Sequence, residues 1–166
     1  LFRSDACWCG DALLAAGMFR EARLALEFLA ATADVTGKIA HEITTSGVAH
    51  YDAADATPLW LRFVALYADW TGDLATVRSH GDQVRAALAH VLALDTDGDG
   101  LPENTGVGHG WVESGPLGGG AVTSYVAAIW IDALRRLAPL AARLDDRELA
   151  ERVRVARDRA ERGFAS

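Results

Sequence analysis

Two kinds of helical periodicity alternate along this chain, and this alternation constrains the fold more than any other feature. Residues 5–16, 55–70 and 122–137 are rich in alanine or apolar nearly all round. Each is followed by a segment with a single apolar stripe, over residues 19–32, 73–91 and 145–164, as in amphipathic helices. The pattern predicts an all-α fold of three helical hairpins, each a buried helix followed by an amphipathic one.

The connectors differ in length in a way that predicts where function lies. Gly17, residues 71–73 and residues 145–146 make short turns within hairpins, whereas long loops join one hairpin to the next. If the buried helices form an inner ring, the long loops and the start of the chain gather at one rim, beside the N-termini of the inner helices. Such a rim is where a binding site is expected, and its loops have room for short strands.

Composition narrows the class of partner. The 166 residues are 51% hydrophobic and suit one globular domain, while 16 Lys and Arg against 23 Asp and Glu give a net charge of -7. Without a basic stretch to neutralise phosphates we expect no nucleic acid partner. No apolar run approaches the ~20 residues that cross a bilayer, so we expect no membrane partner either. The charge suits a neutral or cationic ligand, or a bound cation.

The two cysteines, Cys7 and Cys9, are separated by one residue. A disulfide across that spacing would be strained, and no nearby Cys or His completes a zinc site. We therefore predict two buried thiols.

The stretch DTDGDGLPE, residues 95–103, offers oxygen ligands at alternate positions, with glycines that permit tight turns. This is how a calcium loop begins, although Gly106 stands where an EF-hand would have its final Glu. The alternative is a solvated acidic turn. If an ion binds, we expect Ca²⁺ in a structural role, with carboxylate ligands from four residues and a backbone carbonyl from a fifth: Asp95, Asp97, Asp99 and Glu103, and Leu101.

Five motifs occur in an order typical of one enzyme group: FRSDACW, GKIAHEI, ADATPLWLRFVALYADWTGD, DTDGDGLPE and GWVESG. In these the chain resembles (α/α)6-barrel glycoside hydrolases, similar to the glycogen-debranching and amylo-alpha-1,6-glucosidase group and distantly to glucoamylase. The resemblance implies that residues 1–166 form about half of such a toroid, a partial catalytic domain. It also implies an oligosaccharide substrate, and a partner that is either the rest of the domain or a second copy of the chain.

The resemblance implies an inverting mechanism, which needs an acid and a base ~6.5–9.5 Å apart. Glu113, in GWVES, matches the position of the general acid, where this group often has Asp and glucoamylase-like members have Glu. Trp111 beside it would desolvate the carboxyl and raise its pKa; the alternative is a loop acid that faces water. The base has no counterpart before Ser166, so we expect it outside this chain and expect the isolated segment to be inactive.

Other residues match positions near the sugar pocket. By the resemblance, Asp5 accepts hydrogen bonds from sugar hydroxyls with help from Arg3; the alternative is that Asp5 caps a helix in a salt bridge. His41, Glu42 and Asp55 also match pocket positions, although Asp55 could simply cap the helix that follows it.

Aromatic residues divide into two expected groups. Trp8, Trp60 and Trp111 could stack on sugar rings, and His50 and Tyr51 could add a wall to the pocket. Trp70 and Trp130 lie within apolar helical segments and are expected in the core.

The sequence thus predicts a glycosidase of alpha-glucan-type oligosaccharides. Two alternatives stay open: a non-catalytic carbohydrate-binding or interaction module, and a toroid with another substrate such as a beta-glucoside or a trehalose-like disaccharide. Half a ring should leave part of its apolar inner face exposed to solvent, at Leu59, Phe63, Val126 and Ile129. Such exposure predicts pairing with another half.

Overall fold

The computed structural model describes residues 3–104 and 122–166, with the side chains of Arg3 and Ser4 excepted. Within these ranges the fold is all-α, as predicted, with one short antiparallel pair of strands in which Glu42 lies opposite His50. None of these helices is long and apolar enough to cross a membrane. The elements are α1 (Arg3–Ala15), α2 (Phe19–Ala30), β1 (Glu42–Ile43), β2 (Ala49–His50), α3 (Ala56–Thr71), α4 (Leu74–Ser79), α5 (Gly81–Leu92), α6 (Ser124–Arg143) and α7 (Arg147–Ala165).

The three predicted hairpins are present, but α1 is not the buried helix that was predicted, because Trp8, Cys9 and Ala12 are exposed. Local sequence explains the turns. Gly72 ends α3 in the left-handed conformation, at φ 70°, which a residue with a Cβ adopts only at a cost. Asp73 then caps α4 by accepting a hydrogen bond from the Thr76 amide at 3.0 Å, and Asp146 caps α7 in the same way. The second amphipathic arm differs from the prediction, because it is divided at His80 into α4 and α5.

Helix α3 is the centre of the core and packs against α1, α2, α5 and α6. Its Trp60 and Phe63 are fully buried. Gly10 of α1 faces the ring of Phe63 so closely that a Cβ there would lie 2.4 Å from Cε2. The approach of α1 to α3 therefore depends on a glycine at this position.

The prediction that four apolar side chains of the inner helices are partly exposed to solvent is wrong. All four are at most 5% exposed. The reason is that α3 packs against both α1 and α6, so these helices cover one another's facing side chains within the chain. These side chains give no reason to expect pairing with another half; they are Leu59, Phe63, Val126 and Ile129.

Two of the buried positions were assigned wrongly. Cys7 is buried as predicted, but Cys9 is exposed, because it lies two residues further along α1 and so on another face. Trp130 is in the core as predicted, whereas Trp70 is 50% exposed in the last turn of α3. An apolar helix thus buries all of its faces in the middle but not at its end.

Candidate functional site

The three inner helices α1, α3 and α6 run side by side with their N-termini together. Near the N-termini, the Tyr125 hydroxyl at the start of α6 donates to Oδ2 of Asp55, just before α3, at 3.0 Å. Arg62 lies seven residues after Asp55, and its Nε donates at 2.7 Å to Oδ2 of Asp132, which lies seven residues after Tyr125. The two contacts are separated by seven residues on each segment and occur in the same order along both. It follows that α3 and α6 run in the same direction.

Helix α1 joins the same arrangement through Arg62. The two terminal guanidinium nitrogens donate to the two carboxylate oxygens of Asp11, at 2.9 and 2.8 Å. Asp11, which forms this bidentate pair, follows Asp5 by six residues. The first turn of α1, which contains Asp5, therefore lies at the same level along the helices as Asp55 and Tyr125. We call Asp5, Trp8, Asp55 and Tyr125 the rim.

Asp55 is the buried carboxylate of the rim. It occupies the N-cap position of α3, but its side chain makes no capping hydrogen bond, so the capping alternative is wrong. Oδ2 accepts from Tyr125, whereas Oδ1 is buried without a hydrogen-bond partner among the described residues. A buried polar atom without a partner is costly, so this oxygen is a ready acceptor for a ligand hydroxyl.

The surroundings of Asp55 favour its neutral form. Burial raises the pKa of this carboxyl to about 6, against the hydrogen bond from Tyr125 and the charge of His41, which lower it. The negative charge of Asp5 adds to the rise. Burial, followed by the charge of Asp55, also raises the pKa of the Tyr125 hydroxyl, which therefore stays a donor at neutral pH.

Asp5 and Trp8 form the exposed part of the rim. Helix α1 begins at Arg3, so Asp5 lies inside its first turn rather than at the cap, and its side chain is exposed. Trp8 is 42% exposed, and its side chain acts to lower the pKa of the Tyr125 hydroxyl, against the larger effect of burial. The guanidinium of Arg62 lies 5.0 Å from the centre of the Trp8 ring, a cation–π contact that holds the indole in place.

His41 and Glu42 come from the long connector between α2 and α3. His41 is buried, with Nδ1 2.9 Å from Oδ1 of Asp52 and 3.3 Å from the carbonyl oxygen of His50. It is close enough to Asp55 for its charge to lower the pKa of that carboxyl. Glu42 is half-buried on β1, where it pairs with His50 of β2.

The remaining predicted sugar contacts have different outcomes. Trp60 is buried in the core, where its indole donates to the carbonyl oxygen of Leu26 at 3.2 Å, so the prediction that it stacks on a sugar is wrong. The error arose because Trp60 lies one turn inside α3 rather than before it. The side chain of Arg3, and Trp111 and Glu113 entirely, lie outside the described residues.

The acidic connector after α5 brings its four predicted carboxylates together. One oxygen from each of Asp95, Asp97, Asp99 and Glu103 lies within 4.8 Å of the others. These carboxylates also accept hydrogen bonds from neighbouring amides, such as that of Gly98, which donates to Asp95 at 2.8 Å. Leu101 is buried within the same turn. These residues could hold a hard cation.

The sequence reasoning missed Tyr125 and the ion-pair network of Arg62 with Asp11 and Asp132. A signal for Arg62 was present, because it is the one charged residue between Pro58 and Tyr67 of an otherwise apolar helix, and a buried charge needs a partner. Tyr125 offered no such signal, since a tyrosine near a helix start is common in cores. Its role follows only from the position of Asp55.

Comparisons with protein-family descriptions and with curated proteins found no match to this chain.

Proposed function

We propose that this chain forms the sugar-binding rim and part of the catalytic machinery of a glycoside hydrolase that acts on alpha-glucan-type oligosaccharides. The observation that carries the proposal is the buried Oδ1 of Asp55, which has no hydrogen-bond partner among residues 3–104 and 122–166, at the point where three parallel helices begin. A sugar ring offers hydroxyls on adjacent carbons, and a carboxylate accepts from such hydroxyls.

The groups around Asp55 supply the other contacts that a pyranose needs. Trp8 is exposed enough to cover the apolar C–H face of a sugar, and Arg62 fixes its ring. Asp5 adds a second, exposed acceptor within electrostatic range of Asp55. Neutral hydroxyls also suit an acidic rim, because they bring no negative charge to it.

In the proposed reaction Glu113 is the general acid that protonates the leaving oxygen, and a base from outside this chain activates water. This part of the proposal rests on the resemblance of GWVES to the acid motif of helical-barrel glycosidases. The rim then positions the terminal sugar, and its contribution is to binding and orientation rather than to proton transfer.

The test is glucose release from maltose, isomaltose and limit dextrin by the natural protein, with sugar affinity measured in parallel by calorimetry. Glu113→Gln should abolish release and keep binding, because it removes only the transferable proton. Asp55→Asn should raise KM about tenfold or more, since a buried hydrogen bond to an ionisable group is lost. Asp82→Asn, at a fully exposed position on α5, is the matched control and should change neither.

Three outcomes separate the alternatives. Release that requires Glu113 supports the glycosidase, and the preferred disaccharide identifies the linkage. Sugar binding that requires Asp55 without any hydrolysis would show instead a carbohydrate-binding module. Failure of both release and binding would contradict a role for the rim in carbohydrate recognition.

A further inference from the structure

The acidic connector after α5 holds a concentration of negative charge that the described protein groups balance only in part. Four carboxylates, from Asp95, Asp97, Asp99 and Glu103, place one oxygen each within 4.8 Å of one another. Arg159 of α7 is the cation at their edge, with Nη2 3.8 Å from Oδ2 of Asp95. Like charges at this separation repel strongly where water is partly excluded, so a cation between them would be stabilising.

Glu103 gives a second and independent indication of a ligand. It is only 8% exposed. Its Oε2 accepts from the Thr96 amide at 2.6 Å, while Oε1 is buried with no hydrogen-bond partner among the described residues. A carboxylate oxygen left without a partner in the interior is costly unless an ion or donor meets it.

The dimensions fit one particular ion. Ca²⁺ binds oxygen at about 2.3–2.6 Å, so ligands on opposite sides of it are about 5 Å apart, and all four oxygens fit one coordination sphere. With the carbonyl of Leu101, the four carboxylates would supply five of the six to eight oxygens that Ca²⁺ takes. Mg²⁺ would need a tighter octahedron, at about 2.1 Å, and is reluctant to lose its water.

Contacts between the loop and helices α6 and α7 also hold the loop in position. Gly100, at φ 93°, lies so close to α7 that a Cβ would approach the backbone nitrogen of Ala160 to 2.7 Å. The carbonyl of Gly100 accepts from the indole of Trp130 in α6 at 3.2 Å, and that of Gly98 accepts from Arg159 at 2.8 Å. The connector is thus fastened to two helices of the third hairpin.

We propose that Asp95, Asp97, Asp99 and Glu103, with the carbonyl of Leu101, bind one Ca²⁺ ion that ties the end of α5 to α6 and α7. The ion is structural: it neutralises the loop and strengthens its packing on the third hairpin. This inference is independent of the proposed glycosidase function, because none of its residues belongs to the rim.

Terbium luminescence tests the site directly. Tb³⁺ replaces Ca²⁺ in oxygen sites, and Trp130, hydrogen-bonded to the loop, can transfer excitation to it. We expect sensitised Tb³⁺ emission that CaCl₂ displaces and that MgCl₂ at the same concentration does not. We also expect CaCl₂ to raise the melting temperature of the protein and EDTA to lower it.

Variants locate the ion and keep the test decisive. Asp97→Asn and Glu103→Gln retain acceptors for the loop amides but remove one charged ligand, and each should weaken Ca²⁺ binding about tenfold or more. Glu148→Gln and Asp82→Asn, at exposed positions on α7 and α5, should bind as the wild type does. If Glu103→Gln does not fold, the exposed Asp97 still gives the answer. Equal Tb³⁺ emission and equal calcium stabilisation in wild type and Asp97→Asn would overturn the proposal, as would preference for Mg²⁺.

Discussion

At the scale of single residues, Asp55 is where binding and stability oppose each other. Its buried carboxyl accepts one hydrogen bond from Tyr125, and Oδ1 has no partner in the part of the chain that the structure describes. A protein selected only for stability would not retain such a group, because an apolar or amide side chain would avoid the desolvation of the charge. The cost is understandable if the oxygen has a ligand to bind.

This conflict predicts a particular pH dependence. Because the folded-state pKa of Asp55, about 6, lies above the ordinary value of 3.8, the folded protein favours the protonated carboxyl. The contribution of this group to stability is therefore complete below pH 3.8 and is lost as the pH rises to about 6. The difference between these two pKa values corresponds to about 3 kcal/mol of stability.

The measurement is the free energy of unfolding of wild type and Asp55→Asn as a function of pH. Relative to the variant, the wild type should lose up to about 3 kcal/mol between pH values of about 4 and 7. A difference between the two proteins that stays constant over this range would show that Asp55 titrates normally.

At the scale of elements, the packing of α1 on α3 depends on a missing side chain. Gly10→Ala gains roughly 1 kcal/mol of helix propensity, but its Cβ would overlap the ring of Phe63. Overpacking a core costs about 1–3 kcal/mol, so we expect a net loss and a fall of a few degrees in melting temperature. Gly81→Ala is the control at the start of α5, where the Cβ meets only the terminal Nη1 of the Arg85 side chain, at 3.2 Å.

The same scale shows how far sequence reasoning reached. Helices and hairpin turns were predictable because periodicity, glycines and capping aspartates are local signals, as at Gly72 and Asp73. Burial at helix ends was not, and Trp70 was placed in the core because the pattern carries no information about which turn meets solvent. The four acids of the connector after α5 were predictable as a cluster because they lie close together along a short segment. The meeting of Asp55 with Tyr125 joins residues seventy positions apart and has no local signal.

At the scale of the whole molecule, Arg62 joins the three hairpins through their inner helices. It is 9% exposed and pairs with Asp11 of α1 and Asp132 of α6. Asp132 also accepts a hydrogen bond from Arg136 and would keep it if Arg62 were replaced. Asp11 would then lose both of the hydrogen bonds described for it. Arg62→Leu should destabilise the protein by about 3 kcal/mol, because it leaves charges partly buried without their partner.

Denaturant unfolding of Arg62→Leu beside Arg154→Leu separates this role from a general effect of charge. Arg154 makes as many ion pairs, with Glu151 and Asp158, but all lie on the exposed surface of α7. Its loss should leave the unfolding midpoint unchanged, since surface pairs contribute little. Equal destabilisation by the two variants would contradict a special role for Arg62.

The guanidinium of Arg62, which pairs with Asp11 and Asp132, also fixes the position of α1, α3 and α6 along one another's axes. A guanidinium that reaches two carboxylates at once tolerates little sliding, whereas apolar side chains repack readily when one helix slips along another. A slip of one turn would move a rim residue by about 5.4 Å, farther than any hydrogen bond can span. The alignment of Asp5, Asp55 and Tyr125 at the rim is therefore fixed about two turns below it, at the level of Arg62.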